Sequence, residues 1–515
     1  MPEGGDAYGG WVGWERAAMT RGAVACGNAD ASQAGVEILE AGGNAIDAAI
    51  ACAFAMGVVE PLDSGLGAGG FMTLHHAASG TTTCLDFMGT APAAARYELY
   101  QAVEPAGDYA IKVKGRYNEH GHRSVAVPGA AAGLCEALER FGTLPRRTVL
   151  APSIRLASEG FTVAAKAALR MARTADLLDL TDECRRVLKK PDGSLFQAGD
   201  RMAMPDYGRS LAAIAEHGPA AFYSGALAAG ILADMAAHDG FLAAADLAGY
   251  RVVERAPATG AYNGRRIASM SPPSSGGLVA AGLAALERQG VADTAEGRAE
   301  ALARAMLAMF ESRRTGLGDP AFVKPAPIPT RGESTETTSL CAMDAAGNAA
   351  CITYSNNNHS GVVVPGTGIL LNNQMRLFHA WEGSPNSVAP GKRPASSMMP
   401  TLLFDGDRPA MAIGASGSTR IVTALMQIVF HHLGRGVPLE QAVREPRLHA
   451  EEDTLMADAD YRGIAEPLAA RLGLKFVASP GRDPMMASCQ TIAVEADGTA
   501  TAVGDPRARA QGRVV

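Results

Sequence analysis

Residues 331–357, RGESTETTSLCAMDAAGNAACITYSNN, bring a group of hydroxyl side chains to the edge of an alternating segment. With DAAGN, residues 344–348, as a hairpin loop centred on residue 346, counting outward sets Thr337 opposite Ser355 and Ser339 opposite Thr353. Cross-strand Thr and Ser pairs stabilise many sheets, and on spacing alone that bland reading stands beside a catalytic one. Chemistry needs more, because an alcohol near neutral pH is a poor nucleophile without an adjacent base. The eleven histidines occur as HH at 75–76, HGH at 120–122, HH at 431–432 and singles such as His359, His379 and His449, with no Ser-His-Asp arrangement. No H-x-x-x-H with a nearby acid is present, so neither a metal centre nor a cofactor is expected. One base remains: the α-amino group of a chain cut immediately before the hydroxyl residue, with an unperturbed pKa of about 8.

The elements that must position this hairpin are legible in outline. Asp30 to Gln33 reads as a capping box opening a helix that stops at Gly42-Gly43, and Asn44 caps a second, Ala-rich helix. Helical periodicity recurs at 129–141, 147–160, 209–217, 224–238 and 297–314. Gly65, Gly67 and Gly70 match G-x-G-x-x-G, but they follow a helix and lead into an apolar strand, the reverse of a dinucleotide loop. Beyond residue 337 the segments SLCAMD, AACITYS, TLLF and PAMAIG are short and strand-like, which predicts an α+β architecture. Residues 320–330, with four prolines in eleven positions, read as an exposed linker.

Composition narrows the function. With 47% hydrophobic and 19% charged residues, the 515-residue chain has ample core material, and a net charge of −7 offers no basic field for nucleic acid or anionic lipid. The longest uncharged apolar run, Ala48–Val59, is short of the roughly 20 residues that span a bilayer, and no secretory signal is visible. A cytoplasmic enzyme acting on a small molecule is expected. The eight cysteines are spread through apolar segments without a CxxC pair and read as buried thiols.

GGNAIDAAIA (42–51), EPLDSGLGAGGFM (60–72), SVAVPGAAAGL (124–134), MSPPSSGG (270–277), LGDPAF (317–322), TTSLCAMDAAGN (337–348), GILLNNQM (368–375), KRPASSMMPT (392–401) and GASGSTRI (414–421) occur in one order along the chain. On these motifs the chain resembles the γ-glutamyltranspeptidases, N-terminal-nucleophile hydrolases that cut themselves to expose a catalytic threonine. The resemblance implies a four-layer αββα sandwich, autocleavage between Glu336 and Thr337, and a large-subunit segment 1–336 with a small-subunit segment 337–515 forming one compact unit. The product is then a processed heterodimer, alone or in a higher oligomer. It further implies Thr337 as nucleophile, Thr353 and Ser355 as its orienting hydroxyls, and the backbone amides of Gly417 and Ser418 as the oxyanion site. Ser418 stands where the family has glycine, a change that a backbone donor survives if the loop does not demand positive φ there.

The substrate pocket departs from the family. Its arginine for the donor α-carboxylate falls on Met88, the glutamate beside it on Gly89, and two aspartates for the α-amine fall on Arg376 and Leu377. Asn357, Gln374, Ser396 and Ser397 remain as hydrogen-bonding groups, and Arg376 would suit either an acyl group bearing a carboxylate or plain solvent exposure. The expectation is an amidohydrolase for a small amide whose acyl group lacks an α-ammonium, similar to oxamate amidohydrolases or glutaryl and cephalosporin acylases. A γ-glutamyl hydrolase or transpeptidase acting on glutathione, and an inactive uncut paralogue, are the alternatives.

Overall fold

The protein is described here from a computed structural model covering residues 13–101, 103, 113–314, 317–322, 337–482 and 484–515. Glu336 and the expected linker from residue 323 onward lie outside the described residues.

Two seven-stranded antiparallel sheets face each other. The first runs Trp14–Ala18, Thr499–Gly504, Ser488–Val494, Arg408–Ser416, Thr401–Asp405, Arg265–Ser269, Ala258–Tyr262. The second runs Gln511–Val514, Gly22–Cys26, Thr338–Asp344, Ala349–Ser355, Gly69–His76, Thr81–Phe87, Val253–Arg255. Each sheet therefore draws strands from both sides of residue 337, and the two segments interleave.

The strand Thr338–Asp344 is buried at all seven positions, because both of its faces are covered. Leu340 and Ala342 join Ile352 and Tyr354 in the core against the helices Ala29–Glu40 and Ala45–Val59. Cys341 and Met343 point the other way, into a layer of small side chains with Ala23, Ala25, Cys351 and Ala412. Small residues let the sheets approach closely. At Gly414 a Cβ would lie 2.3 Å from Ser339 Oγ and 2.8 Å from Cys351 Sγ, so any larger residue there would push the sheets apart at the hydroxyl row. On the outer face of the first sheet, Gly276–Gln289, Ala295–Arg314 and Arg420–Val429 complete the fourth layer. The architecture is α+β, four layers in the order αββα, as expected.

Register agrees with the count from the turn: Thr338 pairs with Tyr354 and Ser339 with Thr353. Asn44 caps Ala45–Val59 as expected, with Asp47 closing the box. The first helix starts earlier than expected, at Ala29, because the Asn28 side-chain Oδ1 accepts from the Asp30 amide at 2.9 Å and takes the cap position. All eight cysteines are buried free thiols. Residues 220–237 reach a mean hydropathy of 1.4 over 18 residues and are one-third buried. By length and composition that stretch could cross a membrane, but it breaks at Ser224-Gly225 into Ala220–Tyr223 and Ala226–Ala237.

Candidate active site

Thr337 leads into the inner strand Thr338–Asp344 and is 5% exposed. It lines a cavity of ≈ 20 Å³ with Ser355, Asn357, Gln374, Leu377, Ser396, Met398, Ser418 and Ile421. That volume holds about one water, so an acyl group enters only if the pocket widens. Thr337 and the turn at 417–418, more than seventy residues apart in sequence, meet here.

The 417–418 turn joins the strand Arg408–Ser416 to the helix Arg420–Val429. Gly417 has φ +137°, and a Cβ there would stand 2.6 Å from Ala487 Cα. Only glycine fits. Ser418 adopts φ +62°, so the loop does demand a left-handed residue and the serine carries a strain of roughly 1–2 kcal/mol. Amides at such a turn, opening a helix, form a natural site for a developing negative charge.

A buried relay holds the turn from behind. Thr419 Oγ1 donates to Glu451 Oε2 at 2.7 Å, His449 Nε2 lies 3.2 Å from the same oxygen, and Thr423 Oγ1 lies 3.0 Å from His449 Nδ1. Burial pushes the Glu451 carboxyl up, but His449, Arg313 and Thr419 outweigh it and hold it below the usual carboxylate range. Burial likewise lowers His449, against the pull of Glu451. Sequence reasoning missed this set because Thr419 and Thr423 open one helix while His449 and Glu451 lie on a remote strand; the alternating H-x-E at 449–451 was the available signal.

The expected site residues divide into three groups. Ser355 Oγ accepts from the Asn357 amide at 2.8 Å, and Asn357, at φ +58°, passes its side-chain N–H to Asn373 Oδ1 at 2.9 Å. Thr353 is fully buried one step further in, bonded to Ser339 Oγ at 3.1 Å, so it braces the hairpin rather than lining the pocket. Gln374 lines the pocket but donates to Ser355 O at 2.7 Å and Gly69 O at 3.1 Å while accepting from Gly89 N at 2.9 Å. Both of its N–H bonds are thus committed to backbone, and the expected substrate contact gives way to a positioning role. Ser396 lines the pocket and its hydroxyl accepts from Met398 N at 3.1 Å.

Ser397, Met88 and Arg376 are not among the lining residues. Ser397 and Met88 are fully buried, Met88 in a core with Phe71 and Cys84. Close in sequence to Met88, Asp86 engages Arg255 at 2.8 Å and Arg393 at 3.3 Å, which commits two guanidinium groups to a buried carboxylate. Arg376 sits half-buried on the turn Gln374–Leu377 outside that lining, while Leu377 lines the pocket with Thr337. Adjacent residues on a tight turn cannot both point into one pocket. None of the nine lining side chains is ionisable.

The αββα sandwich with a threonine at the head of an inner strand defines an N-terminal-nucleophile hydrolase. The Gamma-glutamyltranspeptidase family model matches residues 31–330 and 324–515, and the chain belongs to that family of hydrolases and acyl transferases. It is 36% identical to Acylase ACY 1 proenzyme of Pseudomonas sp. (strain SE83), covering 94% of this chain and 92% of that one. It is 32% identical to Glutathione hydrolase proenzyme of Escherichia coli (strain K12), covering 95% and 90%. The crystal structure of cephalosporin acylase from Bacillus halodurans superimposes with a TM-score of 0.86 at 27% identity, over 97% of this chain and 96% of that one.

Proposed function

We propose that this enzyme is an autoprocessing N-terminal threonine amidohydrolase for a small amide whose acyl group lacks the glutamyl α-ammonium. The absence of any ionisable side chain among the nine lining residues carries this reading. An α-ammonium in such a pocket would find no carboxylate among these lining residues to meet its charge, at a cost of about 1–3 kcal/mol. The likeness to the two acylases supports the same direction, and the proenzyme form named for the Pseudomonas and Escherichia coli relatives supports autocleavage.

In the reading we favour, Thr337 Oγ first attacks the carbonyl of Glu336, the peptide becomes an ester by N-to-O shift, and water releases segment 1–336 from segment 337–515. The two segments stay together as a heterodimer because their strands interleave. The new Thr337 amine then takes the hydroxyl proton as Oγ attacks the substrate amide. The tetrahedral oxyanion is received by the Gly417 and Ser418 amides, the protonated amine gives its proton to the departing amine, and water resolves the acyl-enzyme by the reverse roles. Ser355 orients the nucleophile, and Leu377, Met398 and Ile421 contact the acyl chain. Eight unpaired buried thiols suit a reducing compartment, in line with a cytoplasmic location.

The deciding experiment is a p-nitroanilide panel, γ-glutamyl against straight-chain acyl and dicarboxylic monoacyl groups, on wild type and Thr337→Ala. We expect two bands on a denaturing gel with Thr337 at the new N-terminus, and turnover of acyl groups lacking the amine. In Thr337→Ala a single band and a rate loss of at least about 10³-fold are expected. Preferred turnover of the γ-glutamyl donor would favour the second reading, a γ-glutamyl hydrolase, which the Escherichia coli relative supports.

A further inference from the structure

Away from the pocket, three ligand-type side chains converge where the helix Ala226–Ala237 meets the short turn His122–Ser124. Asp234 and His238 stand four residues apart at the helix end, on one face, and His122 reaches them from the turn. His122 Nε2 lies 3.0 Å from Asp234 Oδ2, and His238 Nδ1 lies 3.2 Å from Asp234 Oδ1. One donor atom from each of the three falls within 4.8 Å of the others. The Asp234 side chain is 7% exposed, and among the described residues no lysine or arginine pairs with it. Its negative charge is met only by two imidazoles, stacked with centroids 4.4 Å apart. A buried carboxylate normally has a cation to meet it, and here the groups in that place are two metal ligands.

We propose that His122, Asp234 and His238 form a binding site for a divalent transition metal of the zinc, cobalt or nickel class, with a fourth position open to water. Two imidazoles and one carboxylate suit these ions, whereas magnesium and calcium favour all-oxygen shells. A tetrahedral ion with bonds of about 2.0–2.2 Å needs donors roughly 3.4 Å apart, close to the two carboxylate–imidazole separations. The rings must splay from their stack for both lone pairs to converge, and His238, 53% exposed at the helix end, has room to turn. Its Nδ1 gives up the contact with Asp234 O, now 2.9 Å long, and turns its lone pair toward the ion. The ion would clip the helix to a segment that already reaches the catalytic region: Gly121 N donates to Ser360 O at 2.8 Å, and Ala126 N to Asn372 Oδ1 at 3.1 Å. Asn372 Oδ1 also accepts from the Gln374 amide.

The test uses the chelator-treated full chain, titrated with Co²⁺ by visible absorption, with Zn²⁺ in competition and Mg²⁺ as the control. One Co²⁺ should bind with a tetrahedral d–d band, be displaced by Zn²⁺ and ignore Mg²⁺, and Zn²⁺ should raise the Tm. His238→Ala and His122→Gln should each weaken binding at least tenfold. For His238→Ala, an unchanged metal-free Tm and unchanged amide turnover show that the fold is intact. No saturable Co²⁺ binding by the wild type, or wild-type affinity in either variant, overturns the proposal.

Discussion

Two walls of the Thr337 pocket are built on different principles. Ser355, Asn357 and Gln374 are held by side-chain hydrogen bonds to backbone or to neighbouring side chains, whereas the apolar side chains of Leu377, Met398 and Ile421 are held by packing. Directional bonds fix positions and are costly to lose one at a time, while apolar side chains of similar volume exchange for less than about 1.5 kcal/mol. The contrast implies that bond-breaking geometry and acyl selectivity are carried by separable parts of the site.

The hardest way to break that division is to disturb the fixed side. Gly417→Ala places a Cβ against Ala487 Cα in a backbone region closed to alanine, so the turn must move. We expect kcat to fall by about 10²–10³, the loss typical of one oxyanion donor, with acyl preference unchanged in the panel assay. A change in preference as large as the change in rate would merge the two walls into one.

Glu451→Gln acts one layer further back. It keeps the shape but weakens the grip on Thr419, and we expect roughly a tenfold drop in kcat and a loss of about 1.5–3 kcal/mol by urea unfolding at neutral pH. The folded Glu451 carboxyl is held below its unfolded value of about 4.3, so its stabilisation is present above that pH and disappears as pH falls through the lower folded value. Wild type should therefore lose stability more steeply than the variant between about pH 5 and 3. Parallel curves would remove Glu451 from the account.

The smallest expected effect sharpens the comparison from the apolar side. Leu377→Asp returns a carboxylate to the pocket and should raise γ-glutamyl over plain acyl turnover about tenfold, close to 1.4 kcal/mol, with kcat for the better substrate little changed. An unaltered ratio would place the acyl group elsewhere.

Much of the architecture was legible before any coordinates. Local signals are strong where one residue does one local job: Asn44 caps its helix, and DAAGN turns its hairpin in the expected register. Signals failed where a role depends on side-chain direction. Gln374 reads as a substrate ligand until its amide is seen spent on Ser355 and Gly69, and Arg376 as a pocket charge until the turn hands that place to Leu377. The H-x-x-x-H pattern does not pick out Asp234 and His238 at the same helical spacing, and His122 beside them lies more than a hundred residues away.

By itself the sequence determined the family, the layered α+β class and the hairpin register, since those follow from residue type and short-range spacing. Only the tertiary structure decided that Ser418 lies beside Thr337, that Glu451 and His449 stand behind the turn, and which of two neighbouring residues faces the substrate. Chain order carries no distance between remote segments, and direction is set by the packing of both sheets and both helix layers at once.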